Sequence, residues 1–314
     1  MSNLRRALRC LALLLVAGAW GTIGARAEDF ALQLQRPVPV GRRAHVTGTY
    51  HSVMTRSFSA NGKESQDTKD ETYRFDVTSQ VLAVGTRKNV TEVMLTIHHL
   101  TREADGASTP LLQGEIVVAR IDKGETVLEV RGKNLPREVK DALVTAVSLH
   151  SDDAPNEDEI LGTTKRHSLG ETWPVDVELL TRELRKKRDD LVFTPKDVTG
   201  SVKLVGKTSL GNVPCFELQV EIEIRNPTLP TPDAMKGMTA VMPTLRMSSS
   251  MLVSIDPAAE AGASSLKLEG TVLVSGSVQG VPVTGKMQMR QDHQVKSEPL
   301  APPTPAGSSA APPG

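Results

Sequence analysis

The sequence predicts a mainly β, α+β fold: curved antiparallel sheet in two similar halves that together form an open half-barrel, with two or three short helices. Three observations carry this. Apolar and polar residues alternate with period two through most of the chain. In "PCFELQVEIEIR", Phe216, Leu218, Val220, Ile222 and Ile224 fall on one face and Glu217, Gln219, Glu221 and Glu223 on the other, the mark of a strand with one dry and one wet side. Turn dipeptides (Asn61-Gly62, Asp105-Gly106, Lys123-Gly124 and Gly211-Asn212) separate several of the runs. Helical spacing is confined to short stretches.

From the N-terminus, residues 1–27 have the form of a secretory leader. Arg5, Arg6 and Arg9 precede the apolar stretch "LALLLVAGAW", and Ala25-Arg26-Ala27 fits the small-x-small cleavage rule. The protein is expected to be exported, periplasmic or extracellular, with no transmembrane span after cleavage, because no later stretch is long and apolar enough. Residues 28–297 form the β-rich part. Strands are expected near 43–54, 70–84, 113–121 and 125–131, and in "TEVMLTIHH", where Val93, Leu95 and Ile97 share a face. A helix follows over 136–149, capped by Asn134, with Val139, Leu143, Ala146, Val147 and His150 on one face. The acidic loop 151–159 joins the halves 28–150 and 160–297. In the second half, "VDVELLTRELRKKRDDL" places Val177, Leu180, Leu184 and Leu191 at helical spacing. Strands are expected near 197–205, 246–256, 265–275 and 281–295, besides the run quoted above. The two halves rest on an internal echo. "VLAVGTRKNVTEVMLTI" from Val81 resembles "VKLVGKTSLGNVPCFELQVEI" from Val202, and the glycine entries Gly41-Arg42-Arg43 and Gly170-Glu171-Thr172 precede them. The Pro/Ala/Ser tail 298–314 is low-complexity sequence, expected to be disordered.

"MKGMTAVMPTLRMSSSM" holds five of the ten methionines of the chain. Thr231-Pro232-Asp233 is a helix-start signal, and Met235, Met238 and Met242 follow at spacings of one helical face. After Pro243 the period becomes two, so that Met247 and Met251 share a strand face with Val253 and Ile255; Met287 and Met289 share one in the final hairpin. The expectation is a lid-like apolar face of Met235, Met238 and Met242 over Met247 and Met251. That is the candidate surface for a ligand or partner, since thioether side chains are adaptable apolar filler.

Composition removes several functions. Four of the 37 basic residues and none of the 37 acidic ones lie in the leader, so the remaining chain has net charge −4. Such a charge gives no electrostatic reason to expect nucleic acid or an anionic membrane as partner. Only Cys215 remains after cleavage, which precludes an internal disulfide, and aromatics make up 3% of the chain. His98 and His99 are adjacent in a strand and therefore expected on opposite faces, with His99 beside Leu95 and Ile97. No H-E-x-x-H, Cys-x-x-Cys, G-x-S-x-G, S-x-x-K or P-loop pattern occurs. No cofactor and no catalytic residue is assigned. In the acidic loop, Asp152, Asp153, Asp158 and Glu159 supply hard oxygen ligands suited to calcium, although the turn glycine of an EF-hand is missing.

The segment "NEDEILGTTKRHSLGETWPVD" resembles a motif of exported bacterial proteins of unknown function, an acidic D-E-x-x-G followed by V/L-G-[DE]-x-W. Asp158, Glu159, Gly162, Leu169, Gly170, Glu171 and Trp173 match it. The resemblance covers the middle third of the chain. It implies a secreted β-rich protein and no activity. A looser analogy, at fold level, is to the open half-barrel of bacterial lipoprotein carriers, which holds acyl chains in its concave face. In physical terms Gly170 allows a tight turn, Pro174 stops a strand and Trp173 plugs one end of a sheet core. Three classes of function follow. The first is an exported non-enzymatic envelope protein that binds a lipid or other hydrophobic ligand, or a protein partner, in a curved sheet. The second is a structural or interaction module of the envelope with no small ligand. The third is a hydrolase with a composite site.

Overall fold

Period-two alternation is realised as one open antiparallel sheet. The computed structural model describes residues 28–147, 149–187, 191–229, 237–259, 261–278 and 281–301. The leader, Met235 and residues 302–314 lie outside them. The first half contains β1 (Asp29–Ala31), β2 (Arg43–Ala60), β3 (Lys63–Val84), β4 (Val90–Ala104), β5 (Ala107–Leu112), β6 (Ile116–Asp122), β7 (Glu125–Val130) and β8 (Lys133–Asn134). The second contains β9 (Arg166–Ser168), β10 (Thr172–Pro174), β11 (Val198–Leu210), β12 (Val213–Arg225), β13 (Met238–Val241), β14 (Thr244–Ser254), β15 (Gly262–Val278) and β16 (Val281–Pro299). Among the described residues there are three α-helices: α1 (Arg137–Leu143), continued by a 3₁₀ turn Val144–Ala146, α2 (Glu157–Ile160) and α3 (Val177–Lys187).

The strand order is β10-β11-β12-β14-β15-β16-β2-β3-β4-β6-β7-β8, with β5 on β4 and β13 on β15; β1 and β9 pair separately. The sheet is curved and its ends do not meet, the open half-barrel expected from the sequence. The pairing of β16 with β2, from Val283 opposite Ala60 to Pro299 opposite Ala44, joins the two stretches of sheet.

Directly opposed residues share a face, so the registers define rows across the sheet. One row reads Tyr73, Tyr50, His293, Leu266, Ser249, Val220 and Val202. Both apolar cores sit on this face. The first gathers Tyr73, Val77, Leu95, Ile97 and Leu100 under Val139, Ala142 and Leu143 of α1. The second gathers Val202, Leu204, Leu218 and Ile224 with Trp173 and with Leu180 of α3. Two glycine corners make the same pair of bonds. Gly41 N donates to Val81 O and Val81 N to Arg42 O; Gly170 N donates to Leu204 O and Leu204 N to Glu171 O. Both glycines have positive φ, 85° and 82°, a conformation that costs an L residue steric strain.

Several expectations are corrected. β2 and β3 extend to either side of the Asn61-Gly62 turn, and residues 63–70 of β3 are all exposed, so no apolar alternation marks that part of the strand. His98 and His99 are both exposed while Ile97 and Leu100 are buried. A β-bulge opposite Asp76 and Val77 inserts one residue and resets the parity of β4. Cys215 has the strand parity of Glu217 and Gln219, yet it is fully buried. The helix expected over 136–149 is shorter, and Pro136 rather than Asn134 stands at its N-cap. Met238 lies in strand β13, paired with Gly276, not on a helix; the edge of β15 beyond the end of β14 recruits it. β16 continues through Glu298 and Pro299, which pair with His45 and Ala44, so the strand runs four residues past 295 and takes in the first two residues of the tail expected to be disordered.

Two predictions test this architecture. A Cβ on Gly48 would overlap the Phe75 ring and approach Gln294 O to 2.5 Å, so Gly48→Ala is expected to lower unfolding free energy by about 1–3 kcal/mol in urea titration. Glu71 is buried on the core face beside Lys69 and Arg102. Burial opposes its ionisation, but the bonds from Lys69 and Arg102 outweigh it and hold the carboxyl below its ordinary range. A depressed native value stabilises the fold above the ordinary carboxylate pKa, and this contribution is lost as pH falls through the native value. Urea midpoints measured below pH 5 should therefore drop with acid less steeply in Glu71→Gln than in the wild type.

Candidate ligand-binding site

Between the two cores, the middle strands leave part of the core face uncovered. Leu266 of β15 is 38% exposed there. The rows that follow it lead away along β15, β16 and β2. Leu268 faces Gln291; Gly270 faces Met289, which faces Met54; Val272 faces Met287; and Val274 faces Gly285, which faces Phe58. Each row is ~6.6 Å from the next, two residues of strand rise. The result is a mostly apolar track. His293 belongs to it and lies with its ring centroid 4.6 Å from that of Tyr50. Burial holds His293 below the ordinary imidazole value, favouring the neutral ring.

Registers put Met54, Met238, Met247, Met251, Met287 and Met289 on this same face, while Met94 opposes Gln80 on the other. Of the expected methionine surface, Met242 is core, 2% exposed, and Met247 and Met251 are half-buried against the second core. Met238 alternates with exposed Thr239 in β13, and Met235 is outside the described residues. Met54, Met287 and Met289 complete the face, and reading each strand alone could not align them.

At the start of the track lies a cavity of about 430 Å³, within the usual range for a small-molecule site. Its walls come from β2 (Ala44, Val46), β3 (Val81), β4 (Val90, Val93), the turn after α1 (Ala146, Val147), β14 (Val253), β15 (Gly262, Ser264) and β16 (Val295, Ser297). The fourth side is a strap, residues 32–42. Leu32 and Leu34 pack on the second core and Val38 on the first; Leu34, Arg36, Val38 and Arg42 line the cavity. Arg36 and Arg42 are its only ionisable lining residues among those described. The Arg36 guanidinium donates to Ser254 O at 2.6 Å, Gln33 O at 3.1 Å and Asp256 O at 3.2 Å. Burial lowers both arginines from the ordinary guanidinium value, and for Arg36 the nearby Asp158 and Asp256 oppose the shift.

The strap is fastened by the acidic loop. Buried Asp158 accepts from Leu34 N at 2.8 Å, Gln35 N at 3.1 Å and Thr163 Oγ1 at 2.5 Å. Glu159 closes a capping box on α2 with Asn156, so part of the expected acidic loop is a short helix, with its start marked by the spacing Asn156-x-x-Glu159. Asp152 accepts from Thr86 N at 2.9 Å and Thr86 Oγ1 at 2.6 Å. Asp153 accepts from Lys186 Nζ at 2.7 Å, which, with Ser151 Oγ, lowers its pKa to about 2. The four carboxylates expected to bind calcium thus turn to four different sets of donors. Among the described residues no three His, Cys, Asp or Glu side chains are placed to hold a metal ion.

The motif residues interlock beside this loop. Trp173 Nε1 donates to Leu161 O at 2.7 Å, and a Cβ on Gly162 would meet the indole at 3.1 Å. His167 stacks on Trp173 with centroids 3.5 Å apart. Its Nδ1 lies 3.0 Å from Glu171 Oε1 and its Nε2 3.0 Å from Gly162 O. Glu171 also accepts from Ser168 N at 2.7 Å, and that bond followed by the one from His167 lowers its pKa. These contacts are internal to the corner.

No family model matches the sequence, and no curated protein matches it. Solved structures give weak likenesses. OccK7 (OpdD) of Pseudomonas aeruginosa is 10% identical, over 82% of this chain and 100% of that one, with a TM-score of 0.23. A DUF1329 family protein from Desulfovibrio piger is 10% identical, over 83% and 87%, at 0.18. The COG4313 outer membrane channel from Pseudomonas putida F1 is 10% identical, over 87% and 98%, at 0.18. Scores this low establish no common fold. Among the described residues no helix is long and apolar enough to cross a membrane.

Asp158→Ala would strand two backbone donors of the strap and is expected to destabilise the protein by about 2–3 kcal/mol. Limited proteolysis should then cut first within residues 32–42, at a rate well above that of the wild type.

Proposed function

We propose that the protein is an exported, non-enzymatic envelope protein that binds a hydrophobic ligand on the core face of its sheet. The observation that carries this is the cavity of about 430 Å³ between the two cores, walled mainly by valine, alanine and leucine and continued by the apolar track along β15, β16 and β2. Apolar enclosure of this size is the ordinary setting for binding a small molecule, and exposed Leu266 at its mouth gains by being covered. The leader-like first 27 residues, and the resemblance of residues 156–176 to a motif of exported bacterial proteins, support placement in the cell envelope. A hydrolase would need a base or nucleophile at the cavity, and its described lining offers arginines and hydroxyls without histidine or carboxylate.

The test is organic extraction and mass spectrometry of protein purified from its native envelope, alongside titration with the apolar probe 1-anilinonaphthalene-8-sulfonate. A co-purifying apolar molecule and saturable probe binding are expected. A Cβ at Gly262 would meet only Leu252 O, at 3.5 Å, so Gly262→Leu introduces a side chain at little backbone cost. That variant should fold normally and lose both signals. Unchanged probe binding in Gly262→Leu, or an extract without any apolar molecule, would remove the cavity from consideration.

A further inference from the structure

Polar side chains interrupt the apolar face at the mouth of the cavity. In the row that crosses the middle of the sheet, Leu266 stands between His293 of β16 and Ser249 of β14. Ser264 precedes Leu266 by two residues on β15, so it points to the same side, and it lines the cavity. Opposed side chains on one face lie ~5 Å apart and successive ones ~6.6 Å. The three polar groups therefore surround the exposed leucine. Among the described residues, no side-chain hydrogen bond is made by His293, Ser249 or Ser264. Ser264 is exposed and water satisfies it, but His293 is half-buried, with its ring beside that of Tyr50. Burial favours the neutral imidazole, which has one N–H donor and one bare acceptor nitrogen. A polar group drawn out of water without a partner is costly, and a pure hydrocarbon laid over Leu266 would complete that withdrawal.

We infer that the ligand carries a neutral oxygen group, hydroxyl or carbonyl, that hydrogen-bonds to His293 at the cavity mouth, while its apolar body lies on Leu266 and the valines of the cavity wall. A few placed polar groups in an apolar lining are what orient a bound molecule, and His293 is such a group here. A carbonyl takes the imidazole N–H; a hydroxyl bonds to either nitrogen. This rests on the reading of the cavity as a hydrophobic-ligand site and adds the ligand's polar point and the residue that meets it.

Displacement of 1-anilinonaphthalene-8-sulfonate from the whole protein by butylbenzene, 4-phenylbutan-1-ol and 4-phenylbutan-2-one, which share one carbon skeleton, separates the two readings. His293→Phe keeps a ring beside Tyr50 and removes both nitrogens. It should weaken the alcohol and the ketone by roughly three- to ten-fold, the scale of one neutral hydrogen bond, and leave butylbenzene bound as tightly or more so. His293→Gln, which still donates and accepts, should recover part of that loss. In the wild type, with no variant involved, the ring nitrogens of His293 should shift in nitrogen-15 spectra far more with the alcohol or ketone than with butylbenzene. A His293→Phe protein that loses no more affinity for the alcohol and ketone than for butylbenzene would overturn the assignment to His293, as would nitrogen shifts of equal size with all three. Either result would leave the hydrophobic site standing. Failure of all three compounds to displace the probe from the wild type would bring down both readings.

Discussion

A continuous antiparallel sheet has one parity. Once β16 lies against β2 in the register that puts Val295 opposite Gly48, the facing of side chains on every strand to either side is fixed, because a slip of one residue would exchange the two faces. Both cores, the track between them and the placement of six methionines on one side follow from that single alignment. It also explains the tolerance for small residues along the middle: Gly48, Gly262, Gly270 and Gly285 stand on the core face, where Phe75, Met289 and Phe58 press against three of them. A β-branched side chain at Gly48 or Gly285 would push the overlying ring away from the sheet.

Asp158 shows how a residue suggestive of chemistry is absorbed by architecture. It is an acidic group within a motif, nearly buried, and it spends its oxygens on two backbone amides and a threonine hydroxyl. Trp173, Gly162, His167 and Glu171 are likewise committed to one another. The distinctive segment of the sequence is therefore the buckle that secures the strap, and the strap is what turns an open face into a cavity. Any influence of that segment on the cavity runs through the position of Leu34, Arg36 and Arg42, which line it.

The sequence made the fold class legible because most strands have one wet face, as in Phe216 to Ile224. It failed where that contrast disappears. Residues 63–70 are solvated on both sides, so nothing in their polarity marks a strand. The bulge at His98 is invisible to alternation, since it depends on how the neighbouring strand is paired. Met238 and Met242 are spaced as on a helix, yet an unpaired stretch of β15 decides the conformation of Met238. The candidate site was legible only in part. The period-two spacing marks Met247 and Met251, but Arg42, Val81, Ala146 and Gly262 meet in one cavity from distant points in the chain, and no local pattern links them. Asn156 and Glu159 are different, for their spacing does carry a helix-capping signal that the acidity of the loop obscured.

The seam between β2 and β16 has a kinetic consequence. These strands are separated by more than two hundred residues, and their pairing is of the long-range kind that raises contact order and slows folding. A chain emerging from its N-terminus carries β2 and β3 long before β16 exists to cover the open edge of β2. During that interval the edge is a template for pairing with another chain, so a holding chaperone is of most use to the nascent protein there. The cavity too is late, because Val295 and Ser297 belong to β16. The cavity is thereby completed only when the whole sheet has been assembled.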